Sequence, residues 1–250
     1  MPRNILSKLL PLLLMIAITA GGFAILAQKQ GLPSQGNPAL LFPEDHTIVI
    51  DPGHGGIDGG ALGVGGIEEK QINLALSLDL AQMLRASGFA VILTRETDIS
   101  IHDPGVSGAK AIKTSDLKNR LKLTQSAANP IFLSIHQNKY SSGSISGAQM
   151  FYGGKNPESA RLAQLLQDSI RTRLQPENNR MIKEGGNNLF LIHTLECPAV
   201  LAECGFLSNA KEAELLSDPE YRQKVAFALV CGLLEFRLPP KSKEITEQKE

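Results

Sequence analysis

The sequence predicts an α/β fold, a mostly parallel twisted sheet with helices on both faces, organised as one catalytic-size domain. Three observations carry this. The run Thr47-Ile-Val-Ile50 is β-branched and lacks polar alternation, as in a strand buried on both faces. Further short apolar runs, Ala90–Leu93, Ile131–Ile135 and Pro198–Ala202, recur between segments whose apolar residues follow helical spacing, the alternation expected of βα units. With 250 residues, 42% of them hydrophobic, the chain can bury one sizeable core and still carry appendages.

Taken in order, the amino end comes first. Arg3 and Lys8 precede Leu9 to Ala27, an uncharged apolar stretch long enough to approach a bilayer span, so residues 1–27 are expected to be a signal peptide or a membrane anchor. An uncleaved anchor is the favoured form, because the apolar region is long and the small-residue cleavage pattern imperfect. Residues 28–45, with Gly31, Pro33, Gly36, Pro38 and Pro43, read as a linker. The domain is expected over residues 46–236, with a charged, loose tail over 237–250.

Within the domain, Pro52 should stop the first strand, since it has no amide donor. Eight glycines between Gly53 and Gly66 then allow tight turns around something small. Apolar residues at helical spacing from Ile72 to Leu84 predict a helix opening at Glu68 or Glu69 and stopping at Ser87-Gly88. A second strand, Ala90–Leu93, leads to Arg95, expected to make a surface or structural ion pair. Ile99 to Ser115 is mixed and unassigned. A helix follows over Leu117–Ala128, ended by Asn129-Pro130. Then come a strand at Ile131–Ile135, another at Gly147–Tyr152, a helix from Pro157 to Leu174 and a polar loop from Asn178 to Asn188. The strand Pro198–Ala202 is followed by a short helix capped by Ser208 or Asn209, and a last helix opens at Asp218 or Pro219 and runs to about Phe236.

Chemistry gathers at the strand ends. His54 follows the first strand and His136 the third, the carboxyl ends where open parallel sheets place their sites. Two histidines and one helix-start carboxylate supply the two nitrogens and one oxygen of a catalytic zinc site with a fourth position open. Glu203, at the end of a buried strand, is costly to place unless something positive meets it. A phosphate cradle is the rival reading of the glycine loop, but there is no Gly-Lys-Ser/Thr ending and the helix start is acidic. His102 and His193 read as ordinary polar histidines. Cys197, Cys204 and Cys231 have no Cys-x-x-Cys spacing and an odd count, so neither a thiolate metal site nor a disulfide framework is indicated. The 25 basic and 25 acidic residues leave no excess to neutralise a nucleic acid.

In order, Ile50-Asp-Pro-Gly-His54-Gly-Gly, Glu69-Lys70 with Asn73-Leu74, Thr94-Arg95 with Asp98, Ser134-Ile-His136-Gln-Asn138 and Ala199-Val-Leu-Ala-Glu203-Cys-Gly-Phe-Leu-Ser-Asn209 resemble the zinc-dependent N-acetylmuramoyl-L-alanine amidases of bacterial cell walls. The resemblance covers residues 46–236. It implies an enzyme with one zinc ion acting on the glycan strand and stem peptide of peptidoglycan, cleaving the amide between the muramic acid lactyl group and L-alanine; the apolar amino end adds the expectation that it is exported, and membrane-anchored or secreted to the cell wall. By position it implies His54, Glu69 and His136 as zinc ligands and Glu203 as the catalytic residue. An activator protein, unidentified, is a further candidate partner.

Two positions depart from the family pattern. Gln137 stands where a small residue is usual, and Cys204 where threonine or an aliphatic is usual. Only Lys139 to Gly147 separates the His136 motif from the next strand, so the inhibitory helical insert of the division amidases has no room here. The short anchored form and the Glu177-Asn-Asn-Arg180 loop resemble the amidases of spore cortex. The alternatives are a membrane-tethered wall-binding module without catalysis, and a zinc carboxypeptidase or deacetylase with similar ligands.

Overall fold

A computed structural model describes residues 46–239. The expected segments 1–27 and 28–45 and most of the tail lie outside the described residues. Among the described residues no helix is long and apolar enough to cross a membrane.

Six strands form one sheet: β1 (Thr47–Pro52), β2 (Ala90–Leu93), β3 (Pro130–Asn138), β4 (Gln149–Tyr152), β5 (Lys183–Glu184) and β6 (Ala199–Phe206), in the order β2-β1-β3-β6-β4-β5. All neighbouring pairs are parallel except β4 with β6. The helices are α1 (Glu69–Ala86), α2 (Ala109–Ser126), α3 (Glu158–Arg173), α4 (Phe190–Thr194), α5 (Ala210–Ser217) and α6 (Pro219–Arg237).

Period-two alternation along the strands separates two cores. Ile48, Ile50, Leu133, Ile135, Val200 and Ala202 face one side, where Leu76, Leu80 and Leu84 of α1, Leu162 and Leu166 of α3 and Leu229 and Leu233 of α6 cover them. Val49, Phe132, Ala199 and Leu201 face the other, against Leu191 and Ile192 of α4, with Leu117 and Leu121 of α2 packed alongside. Helices therefore lie on both faces, as the sequence predicts. The strands read as continuous apolar runs because both faces are buried.

Several boundaries differ from the sequence expectation. The α2 helix starts at Ala109, eight residues earlier than the apolar spacing indicates, because its buried face is polar: Ser115, Asp116, Arg120 and Thr124. The strand β6 continues through Glu203 to Phe206, so Glu203 lies inside the strand instead of at its end. Likewise β1 keeps its pairing through Pro52, and β3 carries His136, Gln137 and Asn138 within it. The polar loop after Asn178 contributes the two-residue edge strand β5. At α5 the cap is Asn209, whose side chain accepts from the Lys211 and Glu212 amides; at α6 it is Asp218, with Pro219 opening the helix.

Candidate metal centre

The site is built where β1 and β3 end beside the first turn of α1. Asp51, 1% exposed on β1, accepts from Arg120 (2.6 Å), Thr94 Oγ1 (2.7 Å) and Ser134 Oγ (2.7 Å). Burial alone would raise its carboxyl, but the Arg120 charge and these hydrogen bonds hold it below the ordinary value. Arg120 also donates to the Pro52 and His54 carbonyls at 2.8 and 2.7 Å. Arg95 donates to the Pro52, Gly53, Thr97 and Lys70 carbonyls, all at 2.9–3.0 Å. Thus Arg95 binds backbone in place of the expected ion pair. Burial, aided by repulsion from Arg120, brings its pKa down to about 10. Two buried guanidiniums so fix the carbonyls from Pro52 to His54.

This clamp holds His54 at φ 63, a left-handed conformation uncommon for a residue with a side chain. Two glycines leave room for the ligands. A Cβ on Gly53 would stand 2.3 Å from the His136 ring, and one on Gly60, itself at φ +71, would stand 2.6 Å from Glu69 Oε2.

Glu69 opens α1 and is 3% exposed, while Glu68 precedes the helix and turns toward Lys70. Of the two adjacent glutamates, Glu69 is the one that faces the histidines. Its Oε2 lies 3.2 Å from His54 Nε2 and accepts from the Ala61 amide at 2.8 Å. Its Oε1 lies 2.9 Å from His136 Nδ1 and accepts from the Gln137 amide at 3.0 Å. Burial would raise this carboxyl, but His136 and His54 hold it well below the usual range. The imidazoles of His54 and His136 meet edge to face, 4.9 Å apart.

Behind His54, Nδ1 lies 3.0 Å from Asp58 Oδ2, which also meets Lys113 Nζ at 3.0 Å. Although burial lowers the His54 pKa, hydrogen bonding and charge from Asp58 and Glu69 raise it to about 9. Asp58 thus sets a negative charge against the far nitrogen of His54, on the side away from Glu69.

Among the described residues, His54, Glu69 and His136 form the group able to hold a metal, with one ligand atom each within 4.8 Å of the others. Two imidazole nitrogens and a carboxylate oxygen are the donor set of catalytic zinc sites, so the residues present fit such an ion. Glu203 stands outside that group but beside it: it is the Cα partner of His136 in the β3–β6 ladder and of Gln149 in the β4–β6 ladder. Burial, reinforced by the Glu69 charge, raises its carboxyl to about 7 against the opposing effects of His136, His54 and Arg180. Its Oε2 is sealed from solvent with no hydrogen-bond partner. His102 contacts Ser100 and His193 lies on α4; neither joins the group.

A cleft of about 200 Å³ opens beside both histidines, with Asp58 and Lys113 on its polar side and Leu117, Leu189, Phe190 and Leu201 among its apolar walls. Asp51, Arg120 and Asp58 support the site without standing out in the sequence. Asp51 and Arg120 are 69 residues apart and carry no local signal of their pairing.

The family profile described as N-acetylmuramoyl-L-alanine amidase matches residues 48–235. The chain belongs to this family. It is 39% identical to the germination-specific N-acetylmuramoyl-L-alanine amidase of Bacillus subtilis (strain 168), over 76% of this chain and 78% of that protein. Among solved structures of the family it is similar to the CwlD amidase from Clostridioides difficile in complex with the GerS lipoprotein, at 39% identity and a TM-score of 0.73 over 76% of this chain and 97% of that one. It is also similar to the catalytic domain of CwlV, an N-acetylmuramoyl-L-alanine amidase from Bacillus (Paenibacillus) polymyxa var. colistinus, at 31% identity and a TM-score of 0.63, over 76% and 97% of the two chains.

Proposed function

We propose that this family member hydrolyses the amide between the N-acetylmuramic acid lactyl group and L-alanine in peptidoglycan, with zinc held by His54, Glu69 and His136 and with Glu203 as the proton carrier. The observation that carries the reading is the convergence of those three donors within 4.8 Å, next to a half-buried carboxyl on the neighbouring strand.

When bound, zinc lowers the pKa of water to about 7 and polarises a carbonyl. The Glu203 carboxylate takes a proton from the water that attacks the lactyl carbonyl. It then returns that proton to the L-alanine nitrogen as the carbon–nitrogen bond breaks. The products are a lactyl carboxylate on the glycan and a stem peptide with a free L-alanine amino group. Burial of Oε2 favours the protonated form of this carboxyl, which suits a group that must hold a proton between the two steps. Asp58 orients His54, and the Arg95 and Arg120 clamps hold the loop that carries it.

The similarity to a germination-specific amidase favours spore cortex as the form of the substrate. The complex of a related amidase with a lipoprotein favours a lipoprotein as a binding partner. Arg3 and Lys8 ahead of Leu9 to Ala27 favour a domain held outside the cytoplasm by a membrane anchor.

Mass spectrometry of digested peptidoglycan tests the reaction. The amidase reading expects intact stem peptides beginning with L-alanine. Loss of terminal D-alanine would mark a carboxypeptidase, removal of acetyl groups a deacetylase, and binding without cleavage a wall-binding module.

A further inference from the structure

Behind the Glu69 carboxylate, on the α1 side of the sheet, stands a second tier of buried amides. Asn73, one helical turn after Glu69, is wholly buried, and its Nδ2 donates to Glu69 Oε1 and to the Gly53 carbonyl, both at 3.2 Å. Its Oδ1 accepts from Gln137 Nε2 at 3.2 Å. Gln137 is 3% exposed, and its backbone N–H donates to the same Glu69 Oε1.

The orientation of the Asn73 amide follows from these neighbours. The Gly53 carbonyl and the ionised Glu69 carboxylate can only accept, so only the NH₂ end of Asn73 can face them. Turned over, the amide would set an oxygen against a carboxylate and leave both acceptors without this donor. At its other end, Gln137 Nε2 is the group that makes the observed orientation the satisfied one. Gln137 gains little for itself. Its Oε1 is buried with no partner beyond the weak thiol of Cys204, and a buried acceptor left short costs about 1–3 kcal/mol.

We propose that Gln137 is a positioning residue that locks the Asn73 amide, so that Asn73 Nδ2 holds the Glu69 carboxylate in its metal-binding orientation. This rests on the reading of His54, Glu69 and His136 as zinc ligands. Such outer partners of a ligand are worth roughly 10- to 100-fold in metal affinity. Because Gln137 acts through Asn73, its effect should disappear when Asn73 is gone, whereas a residue that merely fills space would act in both backgrounds.

The test is zinc affinity of the full-length protein, measured by chelator competition, together with the melting temperature of the metal-free form. Gln137→Leu is expected to weaken zinc binding roughly 10-fold or more, Asn73→Ala at least as much, and the double variant no more than Asn73→Ala alone. Metal-free melting temperatures of wild type and Gln137→Leu should stay close, because the variant strands Asn73 Oδ1 but also removes the unpartnered Gln137 Oε1; should Gln137→Leu fold poorly, Gln137→Met keeps the side-chain length and carries the same expectation. Wild-type zinc affinity in these Gln137 variants, or losses that multiply in the double variant, would overturn the lock. A wild-type protein that binds no zinc would instead sink the metal reading itself, before any variant is compared.

Discussion

His136 and Glu203 are direct Cα partners in the parallel ladder between β3 and β6, one strand bringing a candidate metal donor and the next a half-buried carboxyl. Their placement makes the site a property of strand register. A one-residue slip of β6 would turn Glu203 to the opposite face of the sheet, where Val200 and Ala202 pack.

That carboxyl gives a pH dependence with a definite sign. Its pKa rises from 4.5 in an unfolded chain to about 7 in the folded protein, so the folded state holds the proton more tightly. The stability this contributes is fully present below pH 4.5 and is lost as the pH rises through about 7. In the metal-free protein, Glu203→Gln should therefore gain on wild type by roughly 3 kcal/mol across that window. Denaturant unfolding of both proteins over a pH series measures it. A difference that stays flat with pH would contradict the burial of an ionisable Glu203.

Arg120 is expected to be the costliest single charge to remove. It is 2% exposed and pairs with Asp51 at 2.6 Å and Asp116 at 2.7 Å, so Arg120→Met strands a buried carboxylate. Breaking a buried pair from one side costs about 3–5 kcal/mol. Unfolding free energy from urea titration should fall by that order, and a loss below about 1 kcal/mol would show the pair to behave like an exposed one.

How much of this could be read beforehand varied with the kind of signal. Both edges of β2 and the ends of α1 were legible, because apolar periodicity and the Ser87-Gly88 stop are local. The reversed direction of β4 was not, since alternation of side chains is the same in parallel and antiparallel strands. The first half of α2 carries no apolar stripe because the residues it buries are Ser115 and Asp116, which an apolar count scores as surface. At the site, motif order named His54, Glu69, His136 and Glu203, whereas Asp51 and Arg120, which clamp the loop, meet only through the fold.

Gly53 should tolerate no side chain. An added Cβ would fall 2.3 Å from the His136 ring, so Gly53→Ala must displace the imidazole or the loop. Overpacking of this kind costs about 1–3 kcal/mol. Zinc affinity should fall along with the melting temperature, and chelator competition showing wild-type affinity would mean that His136 is not held where the metal is proposed to bind.

The apolar stretch Leu9 to Ala27 is expected to keep the protein with membranes, its domain open to added protease in spheroplasts. Fractionation of cells expressing the full chain checks this. Recovery of a soluble form beginning near Ile25 would identify a cleaved signal peptide instead.

The most direct measurement is the zinc content and peptidoglycan hydrolysis of Glu203→Gln, which keeps the shape of the side chain and removes its ability to carry a proton. General acid and base work contributes roughly 10²- to 10⁴-fold, so turnover should fall by at least that order while one zinc stays bound at His54, Glu69 and His136. Near-normal hydrolysis with zinc in place would contradict the proton-carrying role, and loss of the zinc would make Glu203 a ligand.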